Sequence, residues 1–413
     1  MIVVGVLSGT SMDGLDTAVC EFEHDGEGPA RLTLLGHQDV PWPADLQERL
    51  LAVLPPATTT AGEIAALDNA VGQAAGAAAG AALAAAGVRG DLVAWLGQTV
   101  FHGMADGRAT GGLQLGQPAW IAEATGLPVV SDLRATDVAA GGHGAPLAST
   151  LDALWLAGEQ PRVALNLGGI ANVTAVTPDA PVIAYDTGPA NCWLDVVAHR
   201  ATGVPYDVDG ALAAAGTVDA TLLAHLLAEP YYAAAPPKTT GRELFTATAL
   251  DAAVAAVHPG IAAADLAATL VTLTARTVAD ACRAHAPVEV VGSGGGMDNP
   301  TLRAALAAEL GDLPLVRADD RGLPSGAQEA VLTALLGALT WHGVPGVRAG
   351  ATGSRAARVL GRISPGHAPL RLPEPVGEIH SLEFRPRGED PVALSAPGFP
   401  SRGTDGGRGE GAP

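Results

Sequence analysis

The chain has 413 residues, 48% of them hydrophobic, which allows one large domain or two ordinary ones with well-filled cores. Its formal net charge of −20 excludes general binding to nucleic acid or to an anionic membrane, so a nucleotide ligand needs local donors instead of a positive field. Cys20, Cys192 and Cys282 lie far apart and no HExxH pair occurs, which excludes a disulfide framework and the common zinc sites.

The first element is a strand, Ile2 to Leu7, apolar and β-branched at its head. Ser8, Gly9, Thr10, Ser11, Met12, Asp13 and Gly14 follow, then a second strand from Leu15 to Phe22, so the chain begins with a β-hairpin. Small residues let a backbone approach a ligand, and successive N–H groups form an anion-binding concavity. The hydroxyls of Ser8, Thr10 and Ser11 suit phosphate oxygens, and Asp13 and Asp16 suit a magnesium ion or its waters. An ordinary hairpin turn favours the same residues, so both readings stand on spacing alone.

Arg31 to Val40 reads as a third strand, and prolines bracket a helix around Asp45–Val53. Thr58–Thr60 can cap a long helix that runs through Ala-rich sequence to Ala86 and stops at Gly87. The tract from Ala70 to Gly87 is too weakly apolar for a membrane span, and no basic n-region precedes the N-terminal apolar run. A soluble cytoplasmic protein is therefore expected. Asp91–Leu96 is a buried strand ending in Gly97-Gln98-Thr99, Leu113–Leu115 a short strand, Gln117–Thr125 a helix, and Leu127–Ser131 a strand leading to Asp132, Arg134 and Asp137. Strands alternating with helices predict an α/β protein. The glycines of the loop 140–146 mark a hinge or a ligand-facing loop, and Pro146–Leu156 is helical.

The stretch 162–176 repeats the opening logic: a strand runs into Asn166, Gly168, Gly169 and Asn172, then a strand resumes. Two phosphate-cradling hairpins on two domains account for this, as do two unrelated hairpins. Val182–Tyr185 delivers Asp186 at a strand's carboxyl end, where α/β proteins gather ligands and catalytic groups; a cap for the helix beginning near Asn191 is the other option. Lys238, the single lysine, opens a loop with Thr239, Thr240, Arg242 and Glu243 that suits a sugar contact, an interface or a helix start. Leu266–Ala284 is a strongly amphipathic helix. Val288–Val291 enters Gly294, Gly295 and Gly296 before the helix Asn299–Leu310, a place for a nucleotide on bare backbone. Leu313–Val316 is a strand, and Glu329 stands in the first turn of the helix Ala327–Trp341, on its surface or in the cleft. From about Pro365 the composition turns Pro-, Gly- and Arg-rich, which predicts a disordered end.

A Walker-type P-loop is excluded because Lys238 follows proline, and no G-x-S-x-G elbow is present. What remains suits ATP held between two domains with an aspartate as base, since phosphoryl transfer depends mainly on positioning and charge neutralisation.

The segments 7-LSGTSMDGLD-16, 97-GQTVFH-102, 141-GGHGAPL-147, 166-NLGGIANVT-174, 185-YDTGPAN-191, 240-TGRELF-245, 294-GGGMDNPTL-302 and 325-SGAQEA-330 resemble, in order, those of anhydro-N-acetylmuramic acid kinases, members of the sugar-kinase/hexokinase/actin superfamily. The resemblance runs from residue 2 to about residue 366. It implies a two-domain α/β, ribonuclease H-like fold with a nucleotide cleft between domains. Domain I would take residues 1–135 and about 347–370, domain II 136–346, with 371–413 a disordered tail. The implied reaction uses ATP and Mg²⁺ to phosphorylate O6 of 1,6-anhydro-N-acetylmuramic acid while water opens the anhydro bridge, in peptidoglycan recycling. By matching, Asp186 is the general base. Gly9, Thr10, Ser11, Met12, Asp13, Gly14, Leu15, Asp16, Gly168, Gly169, Gly294 and Gly295 bind ATP, and Asp13 holds Mg²⁺, directly or through water. Arg134, Glu329 and Gln98 contact the sugar. Domain closure and a homodimer are also implied, and no nucleic-acid or membrane partner. Leu96 stands where a histidine is common, Ala190 where glycine is usual, and Ala135 and Thr136 replace a basic pair. Leu96 and Ala135 leave open a kinase for another amino sugar; a non-catalytic nucleotide or sugar sensor is the third possibility.

Overall fold

The computed structural model describes the chain except residues 10, 27, 106–107, 237, 242–243, 348–351, 386–391 and 394–413. In chain order its strands are β1 (Ile2–Ser8), β2 (Gly14–Glu23), β3 (Ala30–Pro41), β4 (Leu92–Ala105), β5 (Arg108–Leu115), β6 (Val129–Ser131), β7 (Arg162–Leu167), β8 (Ile170–Val176), β9 (Ile183–Pro189), β10 (Val290–Ser293), β11 (Leu315–Arg317), β12 (Arg362–Ser364), β13 (Leu382–Arg385) and β14 (Val392–Ala393). They form two mixed sheets, and one strand order recurs in both: β3-β2-β1-β4-β6 in the first and β9-β8-β7-β10-β11 in the second. In each, a three-stranded antiparallel meander is followed by two strands parallel to its first strand. This repeated order is the expected actin/hexokinase-like arrangement.

Alternation along β1 builds two layers at once. Val4 and Val6 face a core shared with Leu67, Val71 and Ala75 of the helix Ala61–Ala86. Val3 and Leu7 face the core filled by Val331, Leu335 and Leu339 of the helix Gln328–Trp341. The first of these helices has the expected ends: Thr60 accepts from the Glu63 amide, and Gly87 closes it at φ 69°. The second sheet packs against the helix Ala263–Arg283, whose Leu270, Val271 and Val278 are buried with Val163, Leu165 and Val173. No helix among the described residues is long and apolar enough to cross a membrane.

Two expectations change, for β4 and for the stretch from 371, and two placements come only from the structure. β4 does not stop at Thr99 but runs to Ala105 and pairs with a longer β5 through two register shifts, because glycines that read as a turn sit inside a bulged ribbon. The segment after Ser131 forms a helix, Leu133–Ala139. The helices within residues 136–346 divide between the two cores. Leu147, Leu151 and Leu154 of the segment leading into and forming the helix Ala148–Trp155, and the apolar residues from Leu323 to Leu339, belong to the first core. Chain order placed those helices with the second sheet, but their apolar faces fit the first. The stretch from 371 is not wholly a loose tail: Ile379 and Leu382 are buried, and β13 adds to the edge of β3 with Phe384 edge-on to Trp155 at 5.6 Å. Composition there masks an alternating strand short enough to be missed. Beyond Arg385 the expected tail, apart from the β14 backbone, lies outside the described residues.

The helix Gln328–Trp341 crosses β1 at Gly5 with no room for a side chain: a Cβ there would lie 2.0 Å from the Ala330 carbonyl oxygen and 2.5 Å from the Ala334 nitrogen. Gly5→Ala is expected to cost about 2–3 kcal/mol or more by overpacking. Gly80→Ala, in a helix with nothing within 4 Å of the added atom, should be neutral or stabilising by up to about 1 kcal/mol. Urea denaturation of the two variants beside the parent checks the contrast.

Candidate active site

The turn between β1 and β2 is braced from within. The Ser8 hydroxyl donates to the Gly14 carbonyl at 2.6 Å and accepts from Trp42 Nε1 at 3.2 Å, so it is engaged inside the turn. Met12 takes φ +55°, a conformation costly for a side chain of this kind, and burial of that side chain in the core offsets the cost. Gln47 Nε2 holds the Met12 carbonyl at 2.8 Å. Leu15 is buried in the same core. Met12 and Leu15 therefore present backbone, not side chain, to any ligand, while Ser11 and Asp13 are exposed with the Ser11 hydroxyl on Asp13 Oδ1 at 2.9 Å. Thr10 lies outside the described residues, as do Arg242 and Glu243. Gln98 is fully buried and donates to the carbonyls of Gly9 at 3.2 Å and Thr99 at 3.3 Å. It braces the first turn, and its Oε1 has no partner among the described residues. Leu96 packs in the first core and does not line the cleft described next.

A cleft of about 420 Å³ opens between the two sheets, within the size range of small-molecule sites. Asp186, Asn166, Asn172 and Gly294 line it from the second sheet; Asp152, Ser325 and Glu329 line it from the helices on the first. Asp186 is not at the end of its strand. β9 continues to Pro189, and Asp186 stands opposite Asn172 where the register with β8 shifts. Nor does it cap the following helix: the amides of Asn191 and Cys192 donate to the carbonyls of Gly168 and Gly169 at 3.1 and 3.0 Å. The Asp186 carboxylate instead accepts twice on one oxygen, Oδ2, from the Thr239 hydroxyl at 2.8 Å and the Thr240 amide at 2.9 Å. A larger hollow, about 890 Å³, lies beside β9 and is lined by Tyr185, Lys238 and His285, without Asp186 or Glu329. The chemistry-bearing groups converge in the smaller one.

Glu329 joins the cleft to the first hairpin. Burial pushes its carboxyl up, against the pull of the Arg134 guanidinium, and Asp13 adds to the rise. Burial lowers Arg134, which donates to the Gly144 carbonyl at 2.7 Å and so also anchors the 140–146 loop. Asp16, on β2, is pushed up to about 7 by burial first, then by Asp39 on the paired strand, Glu329 and Asp13. Four carboxylates and one guanidinium thus gather where the first hairpin meets the Gln328–Trp341 helix. Among the described residues no group of three or more metal-binding side chains is preformed.

The second pair of glycine segments comes together as bare backbone. Gly294 has φ +83°, and a Cβ there would lie 2.5 Å from Asn166 Oδ1 and 2.9 Å from the Leu167 backbone. Gly295 has no atom within 4 Å of its Cβ direction, room that a nucleotide needs. The β7–β8 hairpin and the β10 glycines therefore form one wall.

Sequence reasoning placed Asp186, Glu329, Arg134, Asp13, Asp16 and the glycines in or around this region. It missed Asp39, which reads as one polar position on a strand, and Asp152, which reads as a surface residue on a helix. Thr239 and Thr240 carried a signal in their loop, but their partner, about 50 residues away, is visible only in the fold.

Two sheets of one topology, with a carboxylate and glycine-lined backbone at the cleft between them, define a two-lobed phosphotransferase of the sugar-kinase class. The family model described as anhydro-N-acetylmuramic acid kinase matches residues 1–366. An anhydro-N-acetylmuramic acid kinase of Streptomyces coelicolor is 50% identical over 383 residues, 92% of this chain and 97% of that protein. One from Streptomyces avermitilis is 52% identical over 379 residues, 90% of this chain and 97% of that protein. Among solved structures the chain is similar to a xylulose kinase from Rhodospirillum rubrum, at 14% identity and a TM-score of 0.44, over 82% of this chain and 90% of that one. The chain belongs to the anhydro-N-acetylmuramic acid kinase family.

Asp152 gives this site a pH signature. Its carboxyl is buried and pushed up to about 6 by that burial, with the Thr174 hydroxyl on β8 opposing the shift, and Oδ1 has no partner among the described residues. The folded value lies above the ordinary 3.8, so the native state binds this proton more tightly. The contribution to stability is full below the ordinary value and is lost as pH rises through about 6. Asp152→Asn is expected to raise the melting temperature by roughly 3 °C at pH 8 and to leave it within about 1 °C at pH 4. Scanning calorimetry of both proteins at the two pH values checks this.

Proposed function

We propose that this protein converts 1,6-anhydro-N-acetylmuramic acid, ATP and water into N-acetylmuramic acid 6-phosphate and ADP. The observation that carries the proposal is the Asp186 carboxylate in the interlobe cleft, with Oδ2 bonded by Thr239 and Thr240 and Oδ1 outside both bonds. A base must hold its geometry while a proton moves to it. Two donors on one oxygen fix the plane of the carboxylate and leave the other oxygen for water.

Asp186 takes a proton from that water as its oxygen bonds to the anomeric carbon. The bond from the anomeric carbon to the bridge oxygen breaks, and its electron pair stays on O6. O6 bonds to the γ-phosphorus as the bond from that phosphorus to the β-phosphate oxygen breaks, releasing ADP. Arg134 and Glu329 contact the sugar, with the Arg134 guanidinium close enough to act electrostatically on the Glu329 carboxyl. The triphosphate lies along the Gly9–Asp16 turn and the wall of Gly168, Gly169, Gly294 and Gly295, where backbone comes close without side chains. A bound magnesium ion would supply charge neutralisation to the triphosphate. Asp13 would hold it through water, and the crowding of Asp16 by Asp39, Glu329 and Asp13 is an anionic surplus that a cation relieves. The protein acts as a cytoplasmic homodimer in peptidoglycan recycling, by resemblance to its family. Kinase-named relatives at about 50% identity favour this over a sensor; Leu96 and Ala135 line a separate cavity of about 570 Å³ and not the cleft that holds Asp186.

Purified protein with the anhydro-sugar, ATP and Mg²⁺ in ¹⁸O-water is expected to give ADP and one label at the anomeric hydroxyl, read by mass spectrometry. Asp186→Asn should lower kcat by about 10²–10⁴ and leave ATP affinity within about three-fold. Product without label, or near-parent turnover in the variant, removes the coupled mechanism or the base.

A further inference from the structure

The single lysine of the chain lies next to the two threonines that bind Asp186, yet its ammonium is directed elsewhere. Lys238 Nζ donates to the carbonyls of Tyr231 and Tyr232, each at 3.0 Å, and sits 4.7 Å from the centre of the Tyr231 ring. Tyr231 turns back toward the catalytic strand: its hydroxyl donates to the Asp186 carbonyl at 2.8 Å. The Asp186 amide in turn donates to the Lys238 carbonyl at 3.2 Å. These contacts close a ring from 186 to 238 to 231 and back to 186. Both backbone polar groups of Asp186 are in it, and the Thr239 and Thr240 donors to the carboxylate continue from it. The Tyr231 ring is itself fixed edge-on against Tyr232 at 6.3 Å and Phe245 at 5.9 Å.

We propose that Lys238 and Tyr231 are positioning residues that hold the Asp186 backbone and the 238–240 loop in the one arrangement where both threonine donors reach Oδ2. Lys238 lines the cleft beside Asp186 and Thr239, but its ammonium is committed to the two tyrosine carbonyls; both residues act through Asp186, and the proposal rests on Asp186 being the base. The ammonium ties the carbonyls of the short helix Pro230–Ala233 to the loop, and the Tyr231 hydroxyl ties that helix to β9. Burial lowers the Lys238 pKa, the mark of an ammonium held partly out of water by carbonyl oxygens. Loss of either tie frees the loop to drift by an ångström, enough to misalign a base without disturbing the wall that grips the triphosphate.

The test is steady-state kinetics and melting temperature for Tyr231→Phe, Lys238→Met and Lys238→Arg, beside Asp186→Asn. Tyr231→Phe removes one hydroxyl and keeps the ring packing. The expected result is a kcat lowered at least ten-fold in Tyr231→Phe and Lys238→Met, with the KM values for ATP and sugar within about three-fold and little change in melting temperature. Lys238→Arg should recover most of the kcat lost in the methionine variant. If Tyr231→Phe keeps kcat within three-fold while Asp186→Asn is inactive, the positioning role is overturned and the base survives. If kcat falls only in step with melting temperature, the ring is merely structural and the proposal is overturned too. Should Lys238→Met fail to fold, Tyr231→Phe decides alone. Activity retained in Asp186→Asn would overturn the base assignment, and the proposal with it, and would show in that variant by itself.

Discussion

The crossing of the Gln328–Trp341 helix over β1 at Gly5 is the contact on which the site depends. Backbone meets backbone there because Gly5 has no side chain and the helix offers only the methyl-sized Ala330 and Ala334. The same closeness recurs at Gly337, where an added Cβ would lie 2.4 Å from the Ala94 Cβ on β4. A helix seated that deeply cannot slide, so its first turn is fixed in space. Glu329 is in that turn, and from it reaches the cleft, Arg134 and the first hairpin. Core packing and site electrostatics are thus one constraint.

The second lobe solves a different problem. It must bring a carboxylate and bare backbone to the same cleft without a positive field to help. Bare backbone comes from stacking the β7–β8 turn against the glycines after β10, where Gly294 fits only because it has no side chain. The carboxylate comes from the interior of a strand, at a register shift, and is oriented by a loop distant in sequence. The repeated strand order gives the two lobes matching hairpins, yet their turns are held differently. The first is braced by Ser8, Trp42, Gln47 and Gln98, the second by the start of the helix Asn191–Thr202.

Charge is distributed accordingly. The acidic cluster of Asp13, Asp16, Asp39 and Glu329 has one guanidinium among it, and burial with its acidic neighbours pushes Asp16 up to about 7. Such a cluster is poor at holding phosphate unaided and well suited to receiving phosphate together with a cation. The overall charge of −20 has the same consequence: a nucleotide would need local amides and hydroxyls, because no positive field draws it in.

The amino-acid order alone determined what depends on neighbours along the chain. The strand–turn–strand pattern at residues 2–22, the cap at Thr60 and stop at Gly87, the glycine-rich junction at 294–296 and the apolar Ala327–Trp341 run are all local, and each was legible because propensity and periodicity act over a few residues. The ordered motifs also singled out Asp186 and Glu329, which the fold brings to one cleft. What only the tertiary structure decided depends on contacts between distant segments. The Gln328–Trp341 helix joins the first sheet, not the second that precedes it; Asp39 comes beside Asp16 only when β2 and β3 pair; Thr239 meets Asp186 across a loop; and Leu382 becomes an edge strand on β3. Local sequence cannot specify these, because the free energy that selects them is the burial of surfaces belonging to two places in the chain at once.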